Sequence, residues 1–564
     1  HYGNLAYHYG KAANRDSERK YALLAGQEAI RKAESDALRY LSRALELTST
    51  DDLESRYDIL KAREEFYKLR GKQDPRRDDI EAMLDIAKEL GDDTKHAETR
   101  LIYGEYYLEI SEYDDAEMQL KKGLKLARNV DDSRLLAEGL RQQAALVAIQ
   151  SDLESTIPVL KQALALYDAL EDIHGRVLTM NTLATNLVRN GKFTDAEAWL
   201  NKASELAESQ GDFILRSKPS HTKGLLHYYR SEFDKAYNAF EHSYDMAKQA
   251  GDRNQMANML VNMGGVVYQR GELDEVEKLN LQCIDIYRET GNRANEANVL
   301  TNLSVIMIQR RYFAKALNYG EQALKMARRI ESVTVESFIL HSLGHTQLIT
   351  GDLDNAYRSL TRSLETSLQI KNRHREVYSL AALGIYWLYV GDSDRAIQYS
   401  KQAIEKAEDA TGIESVGQTM SGIIHLERGE LEAAKTAFTR SFEIESKSKN
   451  EHLAVEARAG LVRVALLEKD MPTVEKHIPL MREAIEKDPL LSGVTETFQV
   501  YLSLYDALVA TGDEEGAYRV LESGYATLSQ LRDSLEDEVL QRSFIENVPP
   551  NRRLAQLWAE RERA

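Results

Sequence analysis

An internal period of 40 residues constrains the fold of this chain more than any other feature of its sequence. Short turn-like segments begin at Ser111, Gly191, Ser231, Gly271, Gly351 and Gly391, at separations of 40 or multiples of 40. Ser151 and Arg311 fill the two gaps, and the series continues with small slips at Gly429, Lys469 and Gly512 and backwards to Gly71. A fixed step of this length is typical of a repeat protein.

Small residues recur at two further positions of the same register. One position precedes each turn, at Gly104, Ala144, Ala184, Gly224, Gly264, Ser304, Gly344 and Gly384. The other follows the turn, at Gly123, Ala163, Ala203, Ser243, Cys283, Ala323, Ser363 and Ala403. Gly91, Gly211, Gly251 and Gly291 lie between the repeats on the same step. Small side chains at fixed positions indicate helices that approach one another closely.

Each repeat is consistent with two amphipathic helices. Glycine at the turn can adopt the left-handed conformation that ends a helix, and Asp or Glu after the turn suits the N-terminus of the next helix. Leu, Tyr and Phe at spacings of three and four residues supply the apolar stripes. Each helix pair can bury its stripe against the next pair, so the sequence predicts an all-α solenoid.

The spacing of small residue, turn, alanine and second small residue resembles the tetratricopeptide repeat, in a longer form with extended helices. The resemblance covers residues 71–525, about twelve repeats. It implies a right-handed superhelix of helix hairpins. The repeats near Gly71 and Lys469 depart from the pattern, because the first carries Asp74-Pro75-Arg76-Arg77 in its turn and the second carries Met471-Pro472.

The two ends resemble one class of signalling protein. Residues 5–9, 21–26 and 37–41 are similar to the helical segment after the nucleotide-binding module of bacterial STAND-type signalling ATPases, including relatives of the maltose regulator and cyclase- or kinase-linked proteins. The tail from Gln541 to Pro549, continuing to Trp558, resembles the ending of the same group. The resemblance implies a linking segment over residues 1–70, an upstream nucleotide-binding domain as partner, and a capping helix and tail over residues 526–564.

In that family the repeat array is the sensor, which binds an inducer or partner and releases the ATPase. The ATPase itself is not in this sequence, which has no G-x-x-x-x-G-K-[ST] motif. The chain starts at His1 without an initiator Met, so we expect it to be a piece of a longer polypeptide.

Composition excludes several classes of protein. Lys and Arg number 73 against 91 Asp and Glu, and a net charge of −18 argues against direct binding of nucleic acid. The single cysteine, Cys283, excludes an intramolecular disulfide and a thiolate zinc cluster. No apolar run approaches the length of a membrane span. We therefore expect a cytoplasmic protein without membrane contact and without a cofactor.

The resemblance also implies which residues bind a ligand, because the first helix of each tetratricopeptide pair lines the concave groove. Asn262 and Asn302 occupy equivalent positions, where peptide-binding members of the family carry Asn. The candidate ligand- or peptide-binding residues are Arg141, Asn181, Lys218, His221, Tyr229, Asn258, Asn262, Tyr268, Asn298, Asn302, His341 and His345. Because an Asn carboxamide both donates and accepts, a ladder of Asn can pair with an extended peptide.

Other interpretations of these residues stay open. Each Asn could instead pair with a neighbouring helix. His341 and His345 are spaced i, i+4, which suits a metal, but a third ligand is missing at useful local spacing, so we expect hydrogen bonding and no metal. Cys283 falls in the small-residue register, which favours a packing role.

Three functions fit the sequence to different degrees. The first is a non-catalytic sensor that recognises a peptide, protein or small-molecule inducer in its concave groove and regulates an attached signalling ATPase or output domain. The second is a passive protein–protein interaction scaffold. The third, an enzyme, is disfavoured because the sequence offers neither catalytic residues nor a recognisable nucleophile–base pair.

Overall fold

The computed structural model describes residues 2–31, 36–110, 112–149, 153–407, 411–447 and 451–563. Over these ranges the chain forms 29 α-helices and no β-strand. Each helix packs chiefly against its neighbours in the sequence. The predicted all-α solenoid of helix hairpins is therefore confirmed. Ser111 and Ser151, two of the predicted turn positions, lie outside the described residues.

The chain divides into two compact units, His1–Glu296 and Ala297–Ala564. The helices of the first unit are α1 Tyr2–Lys11, α2 Arg15–Arg31, α3 Ala37–Leu47, α4 Leu53–Arg70, α5 Gln73–Leu90, α6 Asp93–Glu109, α7 Tyr113–Asn129, α8 Ser133–Ile149, α9 Leu153–Ala169, α10 Ile173–Arg189, α11 Phe193–Gln210, α12 Phe213–Tyr229, α13 Phe233–Ala250, α14 Arg253–Gln269 and α15 Leu273–Thr290. The division falls within α16, Arg293–Gln309.

The helices of the second unit after α16 are α17 Phe313–Arg329, α18 Val333–Ile349, α19 Leu353–Gln369, α20 Arg373–Tyr389, α21 Ser393–Ala407, α22 Thr411–Glu427, α23 Leu431–Lys447, α24 Glu451–Glu468, α25 Met471–Lys487, α26 Thr497–Thr511, α27 Glu514–Asp533, α28 Glu538–Glu546 and α29 Pro549–Arg563. Within the described ranges, no helix combines the length and the apolar content needed to cross a membrane.

Helix length explains the period of the sequence. Helices α6 and α7 have 17 residues each, and α14 and α15 have 17 and 18. Two such helices and their two short turns take 40 residues, the step seen in the sequence. The repeat register is thus a direct count of helix plus turn, and it places equivalent residues at equivalent heights on successive helices.

The turns follow the predicted backbone chemistry. Gly91, Gly211, Gly251 and Gly291 end their helices in the left-handed conformation, with φ of 63°, 67°, 71° and 76°. Ser231, Arg311 and Lys469 adopt the same conformation without being glycine, with φ of 60°, 61° and 59°. The hairpin register therefore imposes this backbone geometry even on residues that disfavour it.

Acidic residues after the turns behave differently according to their length. Asp92, Asp212, Asp252 and Asp352 each accept a hydrogen bond from a backbone N–H in the first turn of the next helix. In the described part of the chain, Glu112, Glu232 and Glu272 make no such bond. The capping prediction is correct for Asp. The extra methylene of Glu moves its carboxylate off the N–H groups, which leaves only the favourable interaction with the helix dipole.

In each unit one irregular feature covers the inner side of the helices. In the first unit the turn between α4 and α5 contacts α14 and the end of α15. In the second unit the segment Asp488–Glu496, between α25 and α26, lies against the first helices of several hairpins. Both features bound a cavity, and the two cavities contain several of the candidate binding residues.

Candidate ligand-binding cavities

The first-unit cavity has a volume of about 500 Å³. Four consecutive first helices, α8, α10, α12 and α14, supply Arg141, Asn181, Lys218 and Asn258 to its wall. These are four of the twelve predicted binding residues, one from each hairpin. Arg141 and Asn181 share one position of the 40-residue period, and Lys218 and Asn258 share the position three residues earlier. Positions three residues apart lie on the same face of a helix, so the period brings all four to one wall.

The turn between α4 and α5 forms the opposite wall of this cavity. Asn254 Nδ2 donates a hydrogen bond to the backbone oxygen of Lys68 over 3.2 Å, and Lys72 Nζ donates to the backbone oxygen of Glu289. Gly71, with φ of 65°, approaches so closely that a Cβ there would lie 2.7 Å from Thr290 Cγ2 and 2.8 Å from Asn254 Oδ1. Glycine is thus required at this position by both backbone and space.

Most charges at the first-unit cavity have internal partners. Lys68 Nζ lies 2.5 Å from Glu105, and Arg141 pairs with Glu138, which also accepts a hydrogen bond from Tyr167 Oη at 2.9 Å. Burial raises the pKa of Glu105, but the charges of Lys68, Arg141 and Arg76 outweigh it and lower that pKa to about 2. Arg141 is therefore held in an ion pair, which leaves it less available to a ligand.

Several amide oxygens at the first-unit cavity lack donors. Asn181 Oδ1, Asn254 Oδ1 and Gln73 Oε1 are buried without a hydrogen-bond partner within the described ranges. Lys218 Nζ donates to the neutral amide of Gln255 at 3.3 Å. A buried acceptor without a donor costs about 1–3 kcal/mol. The cavity therefore offers amide oxygens and the ammonium of Lys218 to a bound molecule.

The other predicted residues of the first unit lie elsewhere. Asn262 forms a hydrogen bond with His221 of the preceding first helix, with 3.0 Å between Asn262 Nδ2 and His221 Nε2. Asn262 therefore makes a contact with a neighbouring helix, which the sequence analysis gave as the alternative to ligand binding. Burial, with the charges of Lys218 and Arg189, lowers the pKa of His221 to about 4 and keeps its ring neutral. Tyr229 and Tyr268 are exposed, by 52% and 38%, away from the cavity.

The second-unit cavity has a volume of about 540 Å³ and contains the two predicted histidines. His341 and His345 lie on α18 with ring centroids 6.1 Å apart and nearly parallel planes. Burial lowers the pKa of His345 to about 4, aided by the charge of Arg311, and lowers that of His341 well below its usual value. Both rings are therefore neutral at physiological pH. In the part of the chain that the structure describes, no cluster of three or more metal-ligating His, Cys, Asp or Glu side chains forms.

Arg311 anchors the segment Asp488–Glu496 over the second-unit cavity. Its guanidinium donates to the backbone oxygens of Leu491, at 3.0 Å, and Val494, and to Thr497 Oγ1 at 2.6 Å. Arg311 is 3% exposed, and burial lowers its pKa to about 10 against the charges of nearby carboxylates. A turn residue of the repeat thus holds a segment more than 170 positions away.

The carboxylates of Glu456 and Glu496 also help to hold the segment Asp488–Glu496 over the second-unit cavity. Glu456 accepts hydrogen bonds from the backbone N–H groups of Thr495 and Glu496, at 3.4 and 2.9 Å. Tyr389 Oη donates to the carboxylate of Glu496. Burial raises the pKa of Glu496 to about 7, with a further rise from the charge of Glu456. The closure therefore contains an acid that titrates near neutral pH.

Asn298 and Asn302 are exposed on α16 and lie outside the lining of the second-unit cavity. Their assignment as ligand-binding residues stays a prediction, as it does for the other ten residues.

The cavities also include polar residues that the sequence analysis did not name as binding residues, chiefly Lys68, Asn254, Arg311, Arg375 and Glu496. Asn254 lies one helical turn before the predicted groove residue Asn258. Arg375 of α20 is equivalent in register to Gln255, one position further along the helix, so extending the groove-facing set by about one turn finds both. Lys68, Arg311 and Glu496 lie in turns, at helix ends or in irregular parts of the chain. Their roles depend on contacts between residues far apart in sequence, which the period does not encode.

Residues 255–329 match the family model of the tetratricopeptide repeat, and no curated protein matches the chain. Among solved structures, the apo form of RapI is similar with 14% identity and a TM-score of 0.52, over 62% of this chain and 98% of that chain. A Rap protein complexed with competence and sporulation factor has 18% identity and a TM-score of 0.42, over 69% and 99% of the two chains.

A STAND protein with a tetratricopeptide repeat sensor from Pyrococcus horikoshii has 16% identity and a TM-score of 0.40, over 74% of this chain and 56% of that protein. The likeness to RapI extends to the fold of helical hairpins. Residues 255–329 are thus similar in sequence to tetratricopeptide repeats.

Proposed function

We propose that this chain is a non-catalytic binding and sensor module, which recognises a peptide or protein partner on the inner side of its first helices and regulates an attached signalling ATPase or output domain. The observation that carries the binding part of the proposal is the convergence of Asn181, Lys218 and Asn258 on one cavity. The sensor part rests on the resemblance of the chain ends to STAND-type proteins.

The chemistry of the first-unit cavity suits a peptide. Its buried amide oxygens on Asn181 and Asn254 lack donors in the described structure, and a peptide backbone offers N–H donors. Lys218, whose partner here is the neutral amide of Gln255, suits a backbone carbonyl or a carboxylate. A bound peptide would thus satisfy groups that the chain leaves unsatisfied.

Peptide selection tests the proposal directly. A random octapeptide library is panned on the full chain, and the selected peptide is measured by isothermal titration calorimetry. We expect Asn181→Ala with Asn258→Ala to weaken binding at least tenfold, because two amide contacts are lost. The matched control is Asn201→Ala with Asn238→Ala, which changes two exposed Asn on the second helices α11 and α13.

Two results would contradict the proposal. If the Asn181 and Asn258 variant binds the selected peptides as tightly as the control variant, the first-unit cavity is not the peptide site. If small-angle scattering of the chain is unchanged when that peptide saturates it, the chain acts as a passive scaffold and not as a sensor.

A further inference from the structure

We infer that the second-unit cavity is a binding site for a monocarboxylate with an apolar body, whose carboxylate pairs with Arg375. Arg375 lies in the first turn of α20 and lines this cavity together with His341 of α18. The site is separate from the first-unit cavity and uses none of its residues. Either site can therefore fail its test without affecting the other.

The guanidinium of Arg375 lacks an anionic partner among the groups that the described structure places around it, apart from the ring hydroxyl of Tyr378. Arg375 Nε is buried without a hydrogen-bond acceptor among the described residues, while the residue as a whole is half-buried. The guanidinium makes a cation–π contact with the ring of Phe338, whose centroid lies 4.3 Å from Arg375 Cζ. Burial lowers the pKa of Arg375, and Tyr378 is the one group that opposes this effect within the described part of the chain. A guanidinium that is partly removed from water is stabilised best by a hydrogen-bonded anion.

Arg311, the other arginine that lines the cavity in the described structure, is more deeply buried and has the partners that Arg375 lacks. Its donors reach the backbone oxygens of Leu491 and Val494, and the charges of Glu456 and Glu496 oppose the effect of its burial. Among the described residues, Arg375 has neither kind of partner. Of these two arginines, Arg375 is therefore the one that an added anion would stabilise most.

His341 adds a second polar group beside Arg375. Its Nδ1 is buried and lacks a hydrogen-bond partner in the described ranges, and its ring centroid lies 5.6 Å from that of Tyr378. The charge of Arg375 contributes to lowering the pKa of His341, which shows that the two groups are close. A neutral imidazole can donate one hydrogen bond to a carboxylate oxygen.

The acids of the cavity already have partners. Glu456 accepts two backbone N–H groups, Glu496 accepts from Tyr389, and Glu445 is likewise engaged. A ligand therefore does not need a cationic group to satisfy them. The charge that a ligand must supply is negative, and it belongs beside Arg375.

The apolar side chains of the cavity wall determine which kind of ligand body fits beside Arg375. Ile308, Leu348, Ile385, Met420 and Ile423 give the cavity a largely apolar lining. A volume of about 540 Å³ lies within the range of small-molecule sites, roughly 300–1,000 Å³. An aliphatic chain ending in a carboxylate combines the apolar body with the anionic group that these residues require.

Three ligands of equal chain length test the inference on the full chain: decanoate, 1-decanol and decylammonium. By isothermal titration calorimetry we expect saturable binding of decanoate, at least tenfold weaker binding of 1-decanol, and weaker binding still of decylammonium. Arg375→Gln should reduce the affinity for decanoate to that for 1-decanol and leave the affinity for 1-decanol unchanged, because it removes the charge.

Arg395→Gln is the matched control. Its guanidinium also lies 4.3 Å from an aromatic ring, that of Trp387, but its side chain is 56% exposed and outside the cavity lining. This variant should bind all three ligands as the wild type does. Asn181→Ala with Asn258→Ala should also leave decanoate binding unchanged, which separates this site from the proposed peptide site.

Equal wild-type affinity for decanoate and 1-decanol would overturn the inference, as would full decanoate binding by folded Arg375→Gln. A second variant tests the site in case Arg375→Gln does not fold. Ala382→Leu narrows the cavity and keeps Arg375, so it should lower decanoate affinity at least fivefold, and an unchanged affinity would exclude this cavity as the site.

Discussion

At the residue scale, the small-residue position after each turn shows how one site accepts different side chains. Ser243, Cys283 and Ser363 are each fully buried there. Ser243 Oγ donates to the backbone oxygen of Ser217 at 2.9 Å, and Cys283 Sγ donates to that of Ala257 at 3.5 Å. The polar members of the position thus bond to a carbonyl 26 residues earlier. The sequence interpretation of Cys283 as a packing residue agrees with this contact.

The environment of Cys283 predicts an unreactive thiol. Burial raises its pKa to about 12, so the thiolate that reacts with disulfide reagents is scarce at neutral pH. We expect Ellman's reagent at about pH 8 to label the folded chain at least a hundredfold more slowly than the chain in urea. Fast labelling without denaturant would show that the helix contact between Cys283 and Ala257 does not hold.

At the element scale, the small residue before each turn sets how closely two helices pack. A Cβ on Gly224 would lie 2.4 Å from Phe240 Cδ1, whereas a Cβ on Gly264 would meet only Asn280 Oδ1, at 3.9 Å, among the described residues. The two glycines are one period apart and occupy the same register position. The side chain on the facing helix, and not the register alone, therefore decides whether glycine is required.

This contrast predicts opposite effects for one substitution. Gly224→Ala should destabilise the α12–α13 hairpin by about 1–3 kcal/mol, because the ring of Phe240 must move. Gly264→Ala should be neutral or stabilise α14 by up to about 1 kcal/mol, since alanine favours helix over glycine. Native-state hydrogen exchange of these helices gives the local free energies. Similar effects of the two substitutions would refute the proposed role of Phe240.

At the scale of the whole molecule, the closure of each cavity depends on contacts between distant parts of one unit. In the second unit, C-terminal elements reach back to α17 and to the turn before α19. Asn547 Nδ2 donates to the backbone oxygen of Gly351 at 2.9 Å, and Phe544 packs near Phe313 with centroids 6.2 Å apart. The stability of this unit thus involves the segment Asp488–Glu496 and the C-terminal helices together.

Glu496 should make this stability depend on pH. Its pKa is raised to about 7 in the folded chain from an ordinary value of 4.5, so the folded state holds a proton that the unfolded state has released between these values. The contribution of Glu496 to stability therefore falls as pH rises from 4.5 to about 7 and is constant above. His345 has a lowered pKa of about 4 and contributes in the opposite sense below pH 6.5.

A comparison of variants isolates the effect of Glu496. Glu496→Gln keeps an acceptor for Tyr389 and removes the titration, so its stability advantage over the wild type should grow between about pH 5 and pH 7 and then level off. A difference of one pKa unit between the folded and unfolded states corresponds to about 1.4 kcal/mol of unfolding free energy. Urea unfolding at about pH 5 to 8 measures this, with exposed Glu522→Gln as the control. A constant difference across this range would contradict the buried position of Glu496.

The helices, their turns and the inward-facing positions follow from local patterns in the amino-acid sequence. Helix length plus turn length is a local property, and the 40-residue step together with the spacing of one helical turn assigns Asn181, Lys218 and Asn258 to one wall. The closure of each inner surface into a cavity is visible only once the helices are arranged in three dimensions. Asn254 and Arg311 donate to backbone oxygens more than 170 residues away, and such contacts depend on how small angles between many hairpins add up, which no local pattern records.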